Sequence, residues 1–382
     1  MTIAAADERL KRVHFGSYVF DYSPTGGPFV MTPRHRAAML KAMGERKTVG
    51  GIIRAMMADR LLELKEDEAV RRDVEDLWTR SGVNGVQITL GGLELNPSAW
   101  DSVLRDAAYW HGRARTGDDL AICLDSDGLL AAAAAGKTGV MLGTQDAAWI
   151  DDDLLRLETL HDLGLRIVQL TYNNRNLLGD GCTERQQSGL SNFGIRVVKA
   201  LNRLGIVVDV SHCGAGVTMD AMEVSEAPVA ITHSCCAAVA EHPRAKSDSM
   251  LRTLAEKDGY FGVVAVPFFI RPDGGATLDD MLDHLEHAAK IVGIDKVGIA
   301  TDWGGWTPDM PTELSELSRA AFTPLGFRKA DMPVWGVSIP EFETWESWPN
   351  LTAGLMRRGY DDQEIAGLIG GNWLQFLRRV GL

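Results

Sequence analysis

Short runs of β-branched and other apolar residues alternate with helical patterns along most of this 382-residue chain. Helices are predicted between the runs, for example at Leu154–Leu163, Phe193–Leu204 and Leu278–Val292. Alternation of this kind predicts an α/β fold with a parallel sheet and helices outside it. About eight repeats favour a closed (β/α)8 barrel over an open doubly wound sheet. The runs predicted to be strands are Ser17–Asp21, Gly85–Thr89, Leu120–Cys123, Thr138–Gly143, Arg166–Thr171, Gly205–Val210, Val229–Thr232, Gly262–Val266 and Lys296–Thr301.

Two regions do not follow the repeat. Residues 28–80 are rich in Met, Arg and Glu and predict a helical insertion. Residues 303–348 hold many of the prolines and tryptophans and predict a lid or binding loop over the barrel mouth, with tryptophans closing on an apolar substrate group. The stretch 360–380 predicts helices that pack on the outside of the barrel. Because the chain shows no linker and no internal repeat, we expect residues 1–382 to form a single domain.

Composition excludes several kinds of partner. The formal net charge of -13 disfavours nucleic acid and anionic membranes, since both require a basic surface. The five cysteines show no pairing pattern and are expected to be reduced thiols. The first residues lack the apolar segment of a signal peptide, and no stretch reaches the roughly 18 apolar residues of a membrane span. We therefore expect a cytoplasmic protein that acts on a small molecule.

Two histidines end predicted strands in equivalent positions. His212 lies in IVVDVSHCG, just after a predicted strand, and His233 lies in the same position in PVAITHSCC. A single histidine at a strand end is more often a hydrogen-bonded structural residue than a ligand. Two on neighbouring βα units of a barrel would lie at the same mouth, where barrel enzymes place their metal ligands. The pair therefore predicts a site for zinc or another divalent metal.

Further polar residues follow other predicted strands. They are Gln145 and Asp146 in MLGTQDA, Tyr172 in QLTYNN and Asp302 in GIATDWGG, and Arg244 lies shortly after the His233 strand. Two imidazoles and a carboxylate suit zinc, and an arginine beside them could bind a substrate carboxylate. As alternatives, Asp302 could cap the next segment and Arg244 could form a surface ion pair.

Other histidines and cysteines could imitate ligands. His284 and His287 have the i, i+3 spacing of one helical face, and we expect that face to be solvated. Cys213, Cys235 and Cys236 adjoin the two strand-end histidines. Packing is favoured for these thiols over a role as soft metal ligands.

At these residues the sequence resembles the membrane (renal) dipeptidase family of metallopeptidases. The resemblance implies a (β/α)8 barrel of the amidohydrolase kind with a two-zinc site that hydrolyses dipeptides. It places His212 and His233 on two ligands of the second metal, Arg244 on the arginine that binds the substrate carboxylate, and Asp302 on the aspartate that serves the catalytic water. The matching blocks are GKTGVMLGTQDA, LHDLGLRIVQLTYNN, GLSNFGIRVVKALNRLGIVVDVSHCG, APVAITHSCCAAVAEHPR, KVGIATDWGG and GGNWLQFLRRV.

Three positions depart from the pattern of that family and indicate a divergent branch. The first-strand His-x-Asp pair falls on Ser23 and Thr25, the metal-bridging glutamate on Gln145, and the histidine at the scissile region on Tyr172. A neutral amide cannot bridge two cations as a carboxylate does. The residues therefore predict one ion per chain with Gln145 assisting His212 and His233.

Three functions remain open from the sequence. The first is a dipeptidase-like hydrolase of a small amide, in which Asp302 handles the proton and Arg244 and Tyr172 contact substrate. The second is a lyase or isomerase that uses one metal in a biosynthetic pathway, and the third is a pseudoenzyme that binds a small ligand. The resemblance further implies a possible homodimer with residues 28–80 at its interface.

Overall fold

Parallel strands form a nearly closed barrel in the computed structural model, which describes residues 3–22, 32–45, 49–91, 99–303, 316, 319–320, 323–333 and 337–382. Each predicted strand is observed with small shifts at its ends, which confirms the α/β barrel. The order around the barrel is β1-β2-β4-β5-β6-β7-β9-β10. The strands are β1 (Phe20–Tyr22), β2 (Gly85–Thr89), β3 (Leu120–Ile122), β4 (Thr138–Thr144), β5 (Leu165–Gln169), β6 (Val207–Asp209), β7 (Ala230–Cys236), β8 (Ala245–Lys246), β9 (Tyr260–Val264) and β10 (Val297–Ala300).

Hydrogen bonds join the last strand of the barrel to the first. The backbone N–H of Asp302 donates to the carbonyl of Tyr22 at 3.2 Å. Thr301 Oγ1 donates to Asp21 Oδ2 at 2.7 Å, and the Thr301 N–H donates to Asp21 Oδ1 at 2.8 Å. Burial raises the pKa of Asp21 to about 8, and the bonds from Thr301 oppose that rise. Asp21 thus fixes the end of β10, from which Asp302 follows.

Two short strands lie off the barrel path. β3 pairs with the beginning of β4, whereas β5 pairs with its end. β8 pairs with the end of β7, through Cys235 with Ala245 and Cys236 with Lys246. The sequence did not predict β8, because two residues are too few to show the period of a strand. This strand borders the candidate site.

Helices surround the barrel and have recognisable ends. Ser191 Oγ accepts from the Gly194 N–H at the start of one helix, and Thr277 with Asp280 forms a capping box at another. No described helix is both long and apolar enough to cross a bilayer. The helices are Ile3–Gly16, Pro33–Gly44, Val49–Glu66, Glu68–Ser81, Ala99–Thr116, Ser126–Ala134, Leu155–Asp162, Asn192–Leu204, Ala215–Val224, Asp248–Glu256, Pro267–Ile270, Leu278–Val292, Trp348–Arg357, Asp362–Ala366 and Asn372–Arg379.

Aromatic side chains fill the end of the barrel at which the strands begin. The ring of Trp373, from the C-terminal helix, lies 4.6 Å from that of Tyr22 and 5.1 Å from that of Tyr260. Phe20 and Phe376 complete this buried cluster. The helices predicted for residues 360–380 are thus observed, and the side chain of Trp373 reaches the inner cluster. The opposite end, where the strands finish, is left for polar residues.

The structure agrees with the prediction for residues 28–80 but differs from part of the prediction for residues 303–348. The helices between residues 33 and 81 confirm the helical insertion. In the second region, residues 304–315 lie outside the described residues, and so does the proposed lid there. Trp345 and Trp348 are buried, and Trp345 packs on Trp78 with ring centroids 5.1 Å apart. These two tryptophans are core residues, so the prediction that they close over a substrate was wrong. That all 382 residues form one domain stays a prediction.

Candidate functional site

The six residues predicted for the site lie at the end of the barrel where the strands finish. Gln145 follows β4, Tyr172 follows β5, His212 follows β6, His233 lies within β7, Arg244 precedes β8, and Asp302 follows β10. Contacts connect them in two groups. The first holds Tyr172, His212, His233 and Arg244, and the second holds Gln145 and Asp302.

The two imidazoles face one another directly. Their Nε2 atoms are 3.0 Å apart. The Nδ1 atom of His212 is 2.7 Å from the side-chain carbonyl oxygen of Asn173, Oδ1, to which the Cys182 thiol also donates. His212 consequently carries its proton on Nδ1, and its Nε2 presents a lone pair.

The hydrogen-bond partner of His233 Nδ1 requires the same tautomer, with the proton on Nδ1. Its Nδ1 atom is 2.8 Å from Thr232 Oγ1, and that hydroxyl donates its one proton to Asp209 Oδ2 at 2.6 Å. His233 must therefore donate from Nδ1, so its Nε2 also presents a lone pair. Two lone pairs that face each other repel unless a cation lies between them. The arrangement therefore fits a divalent ion held by two neutral imidazoles.

Asp209 anchors this part of the site from the end of β6. Its carboxylate accepts from both the N–H and the hydroxyl of Ser211, and from both the N–H and the hydroxyl of Thr232. Burial raises the pKa of Asp209, and these four donor groups oppose the rise. A chain of Asp209, Thr232 and His233 thus fixes the ring, as carboxylates behind ligating histidines commonly do.

Two buried cations lie beside the imidazoles. Arg244 Nη2 donates to the carbonyl of His233 at 2.7 Å, and Nη1 donates to the carbonyl of Ser211. Lys246 Nζ is buried nearby, and burial lowers its pKa to about 8. Burial, followed by the charge of Arg244, holds the pKa of His212 and His233 well below the usual value. The imidazoles are therefore neutral and available as ligands at neutral pH.

Gln145 and Asp302 form the second group. Gln145 Nε2 donates to Asp302 Oδ1 at 3.3 Å. Asp302 has a φ of 52°, in the left-handed region that non-glycine residues rarely adopt. Burial raises the pKa of Asp302 to about 7, while the Arg244 charge and the Gln145 bond lower it. A strained, buried carboxyl that titrates near neutrality is typical of a proton-transfer group.

Tyr172 covers one face of His212. The two rings are stacked, with centroids 4.1 Å apart and planes inclined by 23°. Asp146 accepts from the backbone N–H of Tyr172 at 3.1 Å and from Asn176 Nδ2 at 3.0 Å. Asp146 therefore holds the segment after β5 in place. These contacts give Asp146 a structural role beside the site.

A third ligand for the histidine pair is not supplied by His, Cys, Asp or Glu in the described part of the chain. Ser23 and Thr25, which fall on the first-strand ligands of the family, lie outside the described residues. Gln145 donates to Asp302 at the same end of the barrel. Within the described residues, the two imidazoles are therefore the donors that could hold an ion.

One three-residue group could hold a metal on geometry alone, and it lies in the helical insertion. His35, Asp59 and Glu63 place one ligand atom each within 4.8 Å of one another. Arg34 forms an ion pair with Asp59 at 3.0 Å, and Arg60 forms one with Glu63 at 3.0 Å. Because both carboxylates are already neutralised by guanidinium groups, we assign this group to a buried ion-pair network.

The remaining histidines and cysteines have structural places. His284 is fully buried, accepts from the Cys236 N–H at 3.0 Å and bonds the carbonyl of Ile270 at 3.0 Å. The prediction of a solvated face was therefore wrong for His284. His287 is half-buried and pairs with Asp248 at 2.8 Å. All five cysteines are buried and free, as expected.

The residues behind the ligands were not predicted from the sequence. Asp209, Thr232, Asn173 and Lys246 are buried polar residues in or beside the blocks DVSH, ITHS, YNN and RAKS. A carboxylate or hydroxyl next to a strand-end histidine is the available signal for such partners. Lys246 carried no such signal, because its contacts depend on the pairing of β8.

Comparison with known proteins identifies the family of this chain. The sequence model of the membrane dipeptidase family (peptidase family M19) matches residues 97–322. The chain is 30% identical over 251 residues to the dipeptidase verJ of Clonostachys rogersoniana, covering 64% of this chain and 56% of that protein. It is 27% identical over 249 residues to the dipeptidase tcpJ of Claviceps purpurea (strain 20.1), covering 64% and 52%. The chain thus spans just over half the length of these relatives.

A solved structure extends the likeness to the whole fold. The crystal structure of an amidohydrolase from Pseudomonas aeruginosa superposes with a TM-score of 0.76 and 25% identity, covering 97% of this chain and 98% of that one. Three observations agree on the family: the barrel, the paired histidines at its mouth, and the match of the family model over more than half the chain. The chain belongs to the membrane dipeptidase family.

Proposed function

We propose that this protein is a metal-dependent hydrolase that cleaves the amide bond of a dipeptide or a similar small amide. The observation that carries the proposal is the 3.0 Å separation of the His212 and His233 Nε2 atoms, each of which presents a lone pair. Membership of the membrane dipeptidase family supports the hydrolytic reaction. The printed names of two relatives, both dipeptidases, support the dipeptide class of substrate.

We further propose one ion per chain, with zinc as the first candidate. His212 and His233 would hold the ion, with the neutral Gln145 assisting. A bound divalent ion would supply Lewis-acid activation of water and of the scissile carbonyl. The neutral Gln145 supports a single ion, because it supplies no anion at the position where the family has its metal-bridging glutamate. A second ion would lack that bridging carboxylate.

The residues around the imidazoles suit the remaining tasks. Asp302 would accept the proton of the attacking water, since burial raises its pKa to about 7 and its carboxylate is held by Gln145. Arg244 uses Nη1 and Nη2 on backbone carbonyls, while its Nε makes no hydrogen bond within the described residues. That edge of the guanidinium would bind a substrate carboxylate. Tyr172, stacked on His212, would contact the substrate beside the ion.

The experiment is a hydrolysis panel on metal-free protein and on protein reloaded with zinc. Dipeptides with an L- or a D-residue at the C-terminus and N-acyl amino acids are incubated, and the released amino acids are measured by mass spectrometry. We expect turnover that requires the metal and is lost in His212→Ala and Asp302→Asn. Binding of dipeptides without turnover would instead support a ligand-binding pseudoenzyme. Conversion without release of an amino acid would support a lyase or isomerase. That alternative is favoured by the neutral Gln145 and by Tyr172, which stands where the family has a histidine.

We also propose a cytoplasmic setting and a possible homodimer. Five free thiols support a reducing compartment. The helices between residues 33 and 81 would provide the dimer interface, and light scattering of the purified protein tests the mass of the assembly. A monomer in that measurement would remove the interface from the proposal.

A further inference from the structure

Lys246 is a buried lysine beside the candidate site that contacts neither imidazole. Its side chain lies on β8, and the residue is only 2% exposed. Nζ donates to the carbonyl of Val210 at 2.9 Å, to the carbonyl of Cys213 at 2.9 Å and to Thr218 Oγ1 at 3.2 Å. All three N–H donors of the ammonium group are therefore paired. Burying a charged group costs free energy, so this arrangement indicates a structural or functional role for Lys246.

The two carbonyls that Lys246 contacts are the ends of one β-turn. The Cys213 N–H donates to the Val210 carbonyl at 3.2 Å, and this bond closes a four-residue turn that carries His212. The ammonium group holds the same turn from the side, through its first and last carbonyls. The position of His212 therefore depends on a cation that is distant in sequence.

The two inner carbonyls of the turn are held as well. Ser211 O accepts from Arg244 Nη1, and His212 O accepts from the Cys182 N–H at 2.9 Å. Every carbonyl from 210 to 213 thus has a donor. Arg244 and Lys246, on either side of Ala245, supply donors to three of the four, so residues 244–246 hold most of the turn.

The same short strand is joined to the strand of the second histidine. β8 pairs with β7 through Cys236 and Lys246. Arg244 Nη2 donates to the His233 carbonyl at 2.7 Å, and Ser234 Oγ donates to the Arg244 carbonyl at 2.7 Å. β8 therefore connects the backbone that carries His233 to the turn that carries His212.

We propose that Lys246 is a positioning residue for the metal site, which holds the turn of His212 against β7 so that the two Nε2 atoms converge. The role rests on the proposed function, since it requires that the two imidazoles bind an ion. Lys246 acts through the carbonyls of Val210 and Cys213 and not on the ion or the substrate. Residues that orient ligands in this way typically change metal affinity by about 10–100-fold when they are removed.

The test compares zinc affinity in Lys246→Met, Lys246→Gln and a control. Methionine removes every donor, whereas glutamine keeps two N–H donors without the charge. Lys296→Met is the matched control, because Lys296 Nζ also bonds a backbone carbonyl, that of Ala255 at 3.3 Å, next to the first residue of β10. Affinity is measured by competition with a chromophoric chelator, and the fold of the metal-free proteins is checked by circular dichroism and thermal unfolding.

We expect Lys246→Met to weaken zinc binding about 10–100-fold, Lys246→Gln to lie between Met and wild type, and Lys296→Met to bind zinc as wild type does. Wild-type affinity in folded Lys246→Met would overturn the proposal. If that variant does not fold, wild-type affinity in Lys246→Gln would overturn it. An equal loss in Lys296→Met would also overturn it, because the effect would then be general.

A further variant separates this proposal from the proposed function. His212→Ala should lose zinc if the ion site is correct. If His212→Ala keeps wild-type affinity, the ion site is wrong, and the positioning role falls with it. If His212→Ala loses zinc while both Lys246 variants retain it, the ion site stands and the role of Lys246 alone is wrong.

Discussion

The Nε2 atoms of His212 and His233 lie 3.0 Å apart, and the partners of both Nδ1 atoms leave a lone pair on each Nε2. The carbonyl oxygen of Asn173 and the hydroxyl of Thr232 enforce this tautomer from opposite sides. A proton or a metal ion between the rings relieves the repulsion. Burial and the charge of Arg244 lower the pKa of both imidazoles, which disfavours the proton. A metal ion is therefore the better occupant.

Thr232→Val tests the tautomer argument. The substitution keeps the shape of the side chain but removes the hydroxyl between Asp209 and His233. We expect zinc affinity to fall about 10–100-fold, since the ring can then change its tautomer and orientation. The measurement is chelator competition, with Thr253→Val as the control, because the Thr253 hydroxyl donates to the Ser249 carbonyl of its own helix. Equal affinity in the two variants would show that the hydroxyl does not orient the ring.

Gln145→Glu tests the charge argument for one ion. The new carboxylate would lie close to Asp302, whose Oδ1 is now 3.3 Å from Gln145 Nε2. We expect zinc to bind about tenfold more tightly or more, since an added anion at the same end of the barrel attracts a divalent cation. Gln363→Glu, which adds the same charge at an exposed helix start, serves as the control. Unchanged affinity in Gln145→Glu would mean that this position does not sense the ion.

The pH dependence of hydrolysis should report Asp302. Its pKa is raised by burial to about 7, and its carboxylate form accepts the proton. Activity should therefore fall as pH falls, with an acid limb at or below about pH 7 because a bound cation lowers the pKa further. Asp302→Asn should be nearly inactive and lack this limb, and asparagine tolerates the φ of 52°. An unchanged limb in Asp302→Asn would assign it to another group.

Glu63→Gln tests the assignment of the His35 group as an ion-pair network. Glu63 and Arg60 are 4% and 10% exposed at the side chain, so the substitution leaves a buried guanidinium without its carboxylate. We expect a loss of about 3 kcal/mol in the free energy of unfolding and no change in metal content. Denaturant unfolding and elemental analysis give the two values. Glu68→Gln, in an exposed pair with Arg72, should change stability little, and a metal loss confined to Glu63→Gln would instead establish a second metal site.

The barrel could be predicted from the sequence because its strands are short β-branched runs that helical patterns separate. The paired position of His212 and His233 at strand ends was predictable for the same reason. Trp345 and Trp348 were predicted to cover a substrate and lie in the core instead, since composition does not show which way a side chain points. His284 was expected in solvent, because the i, i+3 spacing gives the shared face of a helix but not its direction.

The partners of the ligands were harder to predict than the ligands. Lys246 reaches Val210 and Cys213 only because β8 pairs with the end of β7, and a two-residue strand leaves no pattern in the sequence. The stacking of Tyr172 on His212 depends on how Asp146 holds the segment after β5. Such tertiary relationships decide the geometry of a site, and they become visible only when the fold is known.

The most direct test is the metal content of the purified protein, measured by elemental analysis together with His212→Ala and His233→Ala. His111→Ala serves as the control, since the His111 ring bonds the Leu163 carbonyl at 2.9 Å, outside the histidine pair. We expect close to one divalent ion per chain in wild type and in His111→Ala, and a loss in both site variants. Two ions per chain, or a metal content that neither site variant changes, would contradict this expectation.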